Sequence, residues 1–292
     1  PDLLIGNVDI VHTASATTAN IVAVLIAKAH SGFRCRHIFT ASCEPVNDDP
    51  YFYHYLVNIK IADHVYCVSR AVCESILKYG RKGDGVIYNG FDPAFFDPKM
   101  VTNSIIKKYN LPTPFFLFCG VLERRKRPDI FLSLARRMPE YNFVITGGYH
   151  SLREAEKYLQ QLKELENVQY VGRVSRAEIR DIMGGAAALI FPSEAEGLPL
   201  SVIEASGMGL PVLARPASSL PEIIKEEVNG WLLSENNLDL WELKLKKIVN
   251  WSSSMRTSFS SQARRWVVEN FTWEYNARRY GDLYHKILKE GK

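Results

Sequence analysis

The 292-residue chain is poor in the features that mark disulfide, zinc, membrane-spanning or nucleic-acid chemistry, and each shortage removes a class of function. Five cysteines (Cys35, Cys43, Cys67, Cys73, Cys119) are scattered with no C-x-x-C pair. An odd, dispersed set reads as reduced cytosolic thiols and excludes a disulfide framework or a zinc ribbon. No apolar run approaches the roughly 18 residues a membrane-spanning helix needs; the longest, 21–27, reads as a short helical face. No G-x-x-x-x-G-K-[ST] loop is present, which argues against a P-loop ATPase. Charge is almost balanced, with 36 Lys and Arg against 32 Asp and Glu and a net charge of +4. That mild excess, without an arginine–glycine tract or an aromatic–basic RNA motif, gives no nucleic-acid partner. Repeats and low-complexity tracts are absent. No signal peptide is read in the sequence, and with its reduced thiols the expected location is cytoplasmic.

Apolar sequence is abundant instead. Hydrophobic residues make up 47% of the chain, enough for full cores, and the length suits two ordinary domains. Short apolar runs at 9–13, 37–40, 64–68 and 85–88 read as strands. Between them lie helical patterns at 18–30, capped by Thr17 or Thr18, at 51–62, and from a Ser69 cap to about Tyr79. Asp48-Asp49 reads as a turn before Pro50. Asn89-Gly90 is a turn dipeptide, and the proline-punctuated segment 93–113 reads as a linker with a short helix. A second series of strands follows at 115–120, 142–146, 168–171, 187–191, 211–214 and 231–233. These are near-continuous apolar runs, as parallel strands covered on both faces should be. Ser175-x-x-Glu178 is a capping box, and 273–288 is one long helix. The expected class is α/β with parallel β-α units, divided into a first domain at 1–98, a second at 99–272 and a terminal helix at 273–292.

The most informative segment is 191–205, F-P-S-E-A-E-G-L-P-L-S-V-I-E-A, in which seven residues separate Glu196 from Glu204. A strand runs into a glycine-containing loop, and Pro199 opens a helix, where its missing N–H costs nothing. Glu196 then falls in the loop and Glu204 inside the helix. Unpaired N–H groups at the helix start form an anion site, so a phosphorylated ligand fits there, with a carboxylate on either side to accept hydrogen bonds from hydroxyls. A strand-loop-helix with two glutamates is common in α/β proteins, and the full string narrows the reading. It resembles the E-x7-E segment of retaining glycosyltransferases of the GT-B fold, family 4, whose pattern is close to P-S-x-x-E-G followed by six residues and E-A. Pro192, Ser193, Glu196, Gly197, Glu204 and Ala205 match it.

Further segments carry the same resemblance over roughly residues 9 to 288. Residues 62–69, A-D-H-V-Y-C-V-S, are similar to the family's A-D-x-V-x-x-V-S. Tyr88-Asn89-Gly90-Phe91-Asp92 resembles its P-N-G-V-D turn, and Asp9-Ile10-Val11-His12 its D-V-V-H strand. Thr272-Trp273-Glu274 opens a helix like the one that crosses back onto the first domain. The resemblance implies two Rossmann-like domains facing a cleft. It also implies transfer of a sugar, with retention, from a nucleoside diphosphate donor (UDP- or GDP-linked) to a hydroxyl of a saccharide or lipid-linked acceptor. The products expected are surface polysaccharides or glycolipids, made without metal or cofactor. No D-x-D motif offers the metal–diphosphate clamp of the other main glycosyltransferase fold.

Residue by residue, the resemblance assigns a donor site. Gly120-Val121-Leu122-Glu123-Arg124-Arg125-Lys126 follows the first strand of the second domain. Cations there lower the cost of a departing diphosphate. The family places an Arg directly after the Gly and a Lys five positions beyond. Lys126 matches the Lys and Val121 stands where the Arg belongs, leaving Arg124 or Arg125 as substitutes. The loop at Gly172-Arg173 would grip the base largely through backbone. Glu204 would accept from the ribose hydroxyls, Glu196 would face the transferred sugar, and the backbone of Gly197, Leu198, Pro199, Leu200 and Ser201 would meet the sugar or diphosphate. Lys126 and Glu196 are the catalytic candidates. On the acceptor side the family often carries a His near position 40. Here Thr40 takes that register, His37 lies across Phe39, and His12 ends the neighbouring strand. A one-residue slip reverses a strand's faces, so His37 is no automatic replacement.

Lys28, Arg34, Arg36 and His37, next to the apolar 21–26 face, suit peripheral contact with an anionic cytoplasmic leaflet; the solvated edge of an ordinary helix explains them as well. A GT-B first domain normally begins with a strand, a glycine-rich loop and a helix ahead of the strand matching 9–13, and none precedes Pro1. A fragment, a late start to the numbering, or a partner chain completing the first domain would each account for the missing N-terminal strands. Two other readings stay open: a glycosyltransferase-like binding or partner subunit with little activity alone, and a GT-B nucleotide-sugar epimerase.

Overall fold

A computed structural model describes residues 8–45 and 51–290; the Asp48-Asp49 turn lies outside them. The chain forms two compact units. One comprises residues up to Gly90, 196–198 and those from Trp273 onward; the other comprises Phe91–Ala195 and Pro199–Thr272. Among the described residues no helix is long and apolar enough to cross a membrane.

The first unit holds a parallel sheet of β1 (Ile10–Thr13), β2 (Arg36–Ala41), β3 (His64–Cys67) and β4 (Gly85–Val86), ordered as in the chain. Helices α1 (Thr18–His30), α2 (Phe52–Ile61) and α3 (Arg70–Leu77) return the chain between strands. Thr17 and Ser69 cap α1 and α3 by accepting the N–H groups of Asn20 and Val72. Side chains alternate along β2. Ile38 packs with Ile87 against Leu283 and Ile287 of the terminal helix (Trp273–Glu290), and Thr40 bonds Tyr280 of the same helix. On the opposite face Phe39 meets Tyr55 of α2 edge-on, with centroids 5.5 Å apart. The terminal helix presents Tyr280, Leu283, Tyr284 and Ile287 as one stripe at helical spacing. Its Asn276 and Arg279 side chains donate to the carbonyls of Tyr88 (2.6 Å) and Val86 (3.1 Å).

The basic residues near α1 do not make one surface. Lys28 pairs with Asp63 at 2.6 Å, Arg36 lies 4.0 Å from the same carboxylate, and His37 is fully buried in the sheet. Val22, Leu25 and Ile26 of α1 remain exposed.

The second unit contains β5 (Phe115–Cys119), β6 (Asn142–Thr146), β7 (Val168–Gly172), β8 (Ala186–Phe191), β9 (Val212–Ala214) and β10 (Gly230–Leu232), all parallel, in the order β10-β9-β8-β5-β6-β7. Its helices are α4 (Ser104–Lys108), α5 (Pro128–Arg137), α6 (Leu152–Leu162), α7 (Arg176–Gly185), α8 (Leu200–Gly207), α9 (Leu220–Ile223), α10 (Leu238–Val249) and α11 (Ser253–Asn270). Phe116, Phe118, Phe131 and Phe143 meet edge-to-face with centroids 5.3 to 5.5 Å apart, a geometry worth about 0.5–1.5 kcal/mol per pair beyond burial. The start of the proline-rich segment is firmly held here. Arg264 of α11 donates to the carbonyls of Pro93, Phe96 and Gly207 and to Asp97, at 2.6 to 3.1 Å. Strand order reverses between β5 and β8. In an open α/β sheet, ligands settle outside the carboxyl ends of the strands at such a switch point.

Candidate active site

The switch point is flanked by the two loops the sequence singled out. After Cys119 the chain passes Gly120 and reaches a single 3-10 turn, Arg124–Lys126. Arg127, in the left-handed region at φ 52°, then redirects it into α5, with Pro128 at the first helical position. After Phe191 the second loop leads to α8. Pro199 has extended backbone and stands at the N-cap, one residue before the helix begins at Leu200.

Backbone hydrogen bonds stitch the loops after β5, β6 and β7 together. Gly120 N–H donates to Thr146 O (2.9 Å), Leu122 N–H to Gly148 O (2.9 Å) and Gly147 N–H to Gly172 O (2.8 Å). The Tyr170 hydroxyl donates to Gly147 O at 2.9 Å. Gly172 needs its glycine for conformation alone, at φ 80° with open space around it; Arg173 beside it is exposed.

Arg125 joins the β5 and β8 loops. Its guanidinium donates to Ala195 O and Glu123 Oε1, both at 2.9 Å, and its carbonyl accepts from Glu194 N–H (2.8 Å) and Ser193 Oγ–H (3.2 Å). Arg127 is engaged by Asp129, Glu194 and Glu235, and Arg215 shares the last two carboxylates. These arginines fix the loops. Lys126 lies alongside Gly120, its Cδ 3.9 Å from where a Gly120 Cβ would stand, and its Nζ is 5.7 Å from the Phe191 ring centre.

The charges of Glu204 and Lys126 both act on Cys119. Burial pushes that thiol up to about 11; the Glu204 charge adds to the rise and Lys126 opposes it. Glu204 is 8% exposed, and burial raises its carboxyl to about 7 against the pull of Arg176, whose Nη2 lies 2.8 Å from Oε1. Arg176 and Cys119 are the partners that sequence reasoning missed. Arg176 is merely the first residue of α7, and no spacing rule links it to Glu204. Glu196 is equally buried, at 7%, within the stretch 196–198 that clusters with the first unit.

In the first unit the three acceptor-side candidates separate by strand parity. His12 is hydrogen-bonded through Nδ1 to the Tyr284 hydroxyl (2.6 Å) and through Nε2 to Thr40 Oγ1 (2.7 Å), which also bonds the Tyr280 hydroxyl at 2.8 Å. Burial lowers the His12 pKa, favouring the neutral ring, which donates through one nitrogen and accepts through the other. His37 points to the other face, its Nε2 2.9 Å from Thr13 Oγ1 and its Nδ1 buried without a partner. Burial, reinforced by Lys28, lowers His37 from 6.5 to about 4. A folded-state pKa below the unfolded one gives stability that is present above pH 6.5 and lost as pH falls through 4. Between pH 7 and 4 the wild type should lose about 3 kcal/mol more stability than His37→Gln, measured by urea unfolding. Equal losses in the two proteins would show that His37 does not titrate this way.

Comparison with known proteins gives the family and the fold. Residues 102–266 match the family described as glycosyl transferases group 1. An uncharacterized glycosyltransferase of Methanocaldococcus jannaschii is 25% identical over 77% of this chain and 59% of its own length. The Vi polysaccharide biosynthesis protein VipC/TviE of Salmonella typhi is 30% identical over 72% of this chain and 38% of its own. The chain therefore spans less than two thirds of the length of these curated relatives. Among solved structures, Anabaena HepE in complex with UDP and glucose superposes with a TM-score of 0.78 at 19% identity, covering 94% of this chain and 77% of HepE. That likeness gives the fold, GT-B, with two α/β units on parallel sheets.

Proposed function

The chain belongs to the glycosyl transferases group 1, and from that premise we propose that its second unit binds a nucleoside diphosphate sugar, UDP- or GDP-linked. The sugar passes to a hydroxyl acceptor with retention of configuration, in the synthesis of surface polysaccharide or glycolipid. The observation that carries this reading is that Lys126 follows β5 and Glu204 follows β8, the two strands on either side of the sheet's switch point. Glu204 accepts from the ribose hydroxyls, Lys126 offsets charge on the departing diphosphate, and Glu196 orients the transferred sugar. Catalysis is then positioning and electrostatics, with no metal or cofactor assigned a step. The acceptor, a saccharide or a lipid-linked sugar, falls to the first unit. There a hollow of about 380 Å³, lined by Ala14, Ser15, Phe39, Ser42, Tyr51 and Tyr55, has the size and the apolar walls for it. The exposed Val22, Leu25 and Ile26 of α1 support peripheral contact with the cytoplasmic face of a membrane.

The test is a thermal-shift and calorimetric panel of UDP, GDP, ADP and CMP, with Glu204→Ala alongside. Ligand at about 100 times its Kd stabilises the folded protein by about 2.7 kcal/mol. One diphosphate should raise the melting temperature of the wild type and leave Glu204→Ala unmoved. Absence of any shift would defeat the donor-site reading and favour a binding subunit dependent on a partner.

A further inference from the structure

Arg176 has no part in the E-x7-E pattern, yet it is bonded to that pattern's second carboxylate. It starts α7, directly after Ser175, whose hydroxyl accepts Glu178 N–H while Glu178 Oε2 accepts Ser175 N–H. That capping box fixes where the Arg176 side chain leaves the helix. The guanidinium lies over the Phe95 and Phe96 rings, 5.8 and 5.3 Å from their centres, and reaches Glu204 Oε1 at 2.8 Å. A cation held on two aromatic faces and bonded to a carboxylate is an arrangement a planar guanidinium makes and an ammonium reproduces only in part.

We propose that Arg176 is a positioning residue of the donor site, which aims the Glu204 carboxylate and holds it as a hydrogen-bond acceptor for the ribose of a nucleoside diphosphate. The proposal rests on the reading of Glu204 as the ribose acceptor. An ionised carboxylate is acceptor-only and takes two hydroxyl donors at once, whereas its protonated form gives up part of that capacity. Glu204 is buried enough to titrate near 7, and the Arg176 charge is what opposes the rise. The other groups near it do not replace Arg176. From β5, Cys119 stays a neutral thiol at neutral pH. Lys126 acts on that same thiol from the 3-10 turn. From α11, Arg264 spends its donors on Pro93, Phe96, Gly207 and Asp97. Without Arg176 the Glu204 carboxyl should hold its proton to higher pH, and nucleotide affinity should fall at neutral pH and recover on raising it.

The experiment has two arms on the full chain. Carbon-13 NMR of labelled glutamate follows the Glu204 carboxyl, assigned with Glu204→Gln, in wild type, Arg176→Ala, Arg176→Gln and Arg176→Lys. Calorimetry measures UDP and GDP binding to the same proteins from pH 6 to 9. Loss of the guanidinium should move the Glu204 midpoint up by about one pH unit and weaken nucleotide binding about fivefold at pH 7, converging on wild type at pH 9. Arg176→Lys should fall between. An unmoved Glu204 midpoint overturns the proposal, as does nucleotide binding in Arg176→Ala and Arg176→Gln that equals wild type or weakens equally at every pH. If neither nucleotide binds the wild type while the Glu204 midpoint still moves, the donor-site reading itself has failed and takes the positioning role with it. Arg176→Gln keeps the test available should the alanine variant not fold.

Discussion

Replacing Lys126 with alanine should lower kcat for sugar transfer by about 10²–10³-fold while changing KM far less, the signature of a charge used mainly in the transition state. The diphosphate gains charge as its bond to the sugar breaks, and a fixed cation close to it lowers that cost. Several constraints hold Lys126. Its N–H donates to Glu123 O, Arg127 turns the chain directly behind it, and Arg125 ties its turn to the loop leading to α8. The dependence on Lys126 should be strong in this chain. Val121 supplies no charge where the resembling family carries an arginine, and Arg125 is engaged by Ala195 and Glu123. Lys126→Arg should keep the charge but not its position, and so restore only part of the rate. Steady-state kinetics with the sugar nucleotide chosen by the binding panel would decide the matter; an unchanged kcat in Lys126→Ala would remove the residue from catalysis.

Several parts of this architecture are legible in the chain because they depend on period and local chemistry. Strands 115–119 and 186–191 are apolar runs that only a doubly covered sheet explains, and Ser175 with Glu178 announces the start of α7. Parity separates His37 from Thr40 without any coordinates, since three residues along a strand reverse the face. Partners across the fold are another matter. Lys28, Arg36 and His37 read as a basic patch because sequence shows charges and hides Asp63, which approaches from the turn before β3. Arg176 meets Glu204 across two β-α units, a distance no spacing rule spans. Burial is equally hidden. Glu204 looks like any helix glutamate, but taken out of water it titrates near 7, so its ionisation depends on a cation the sequence does not put beside it.

Gly147 is the clearest case of a residue whose role depends on what lies across from it, and it carries the second large prediction. Gly147-Gly148 reads in the sequence as a generic tight turn. At Gly147 the backbone has φ 128°, and a Cβ there would stand 2.0 Å from Gly120 O and 2.6 Å from Gly120 C. These obstacles are backbone atoms of the loop that carries Lys126, so no rotamer change relieves the clash. Gly147→Ala should therefore separate the β5 and β6 loops, straining or breaking the bonds Gly120–Thr146 and Leu122–Gly148. The expected cost is about 3–5 kcal/mol of stability, in the range where positive-φ strain and a steric clash add. Gly148→Ala is the internal control: its Cβ would meet nothing within 4 Å, and the change should stay within about 0.5 kcal/mol. Urea unfolding of both variants measures the difference. Calorimetry with the preferred diphosphate should show that Gly147→Ala, under conditions where it remains folded, binds more weakly because Lys126 has moved with its loop. Equal stability in the two alanine variants would mean that the close approach of Gly147 to Gly120 does not hold these loops in place.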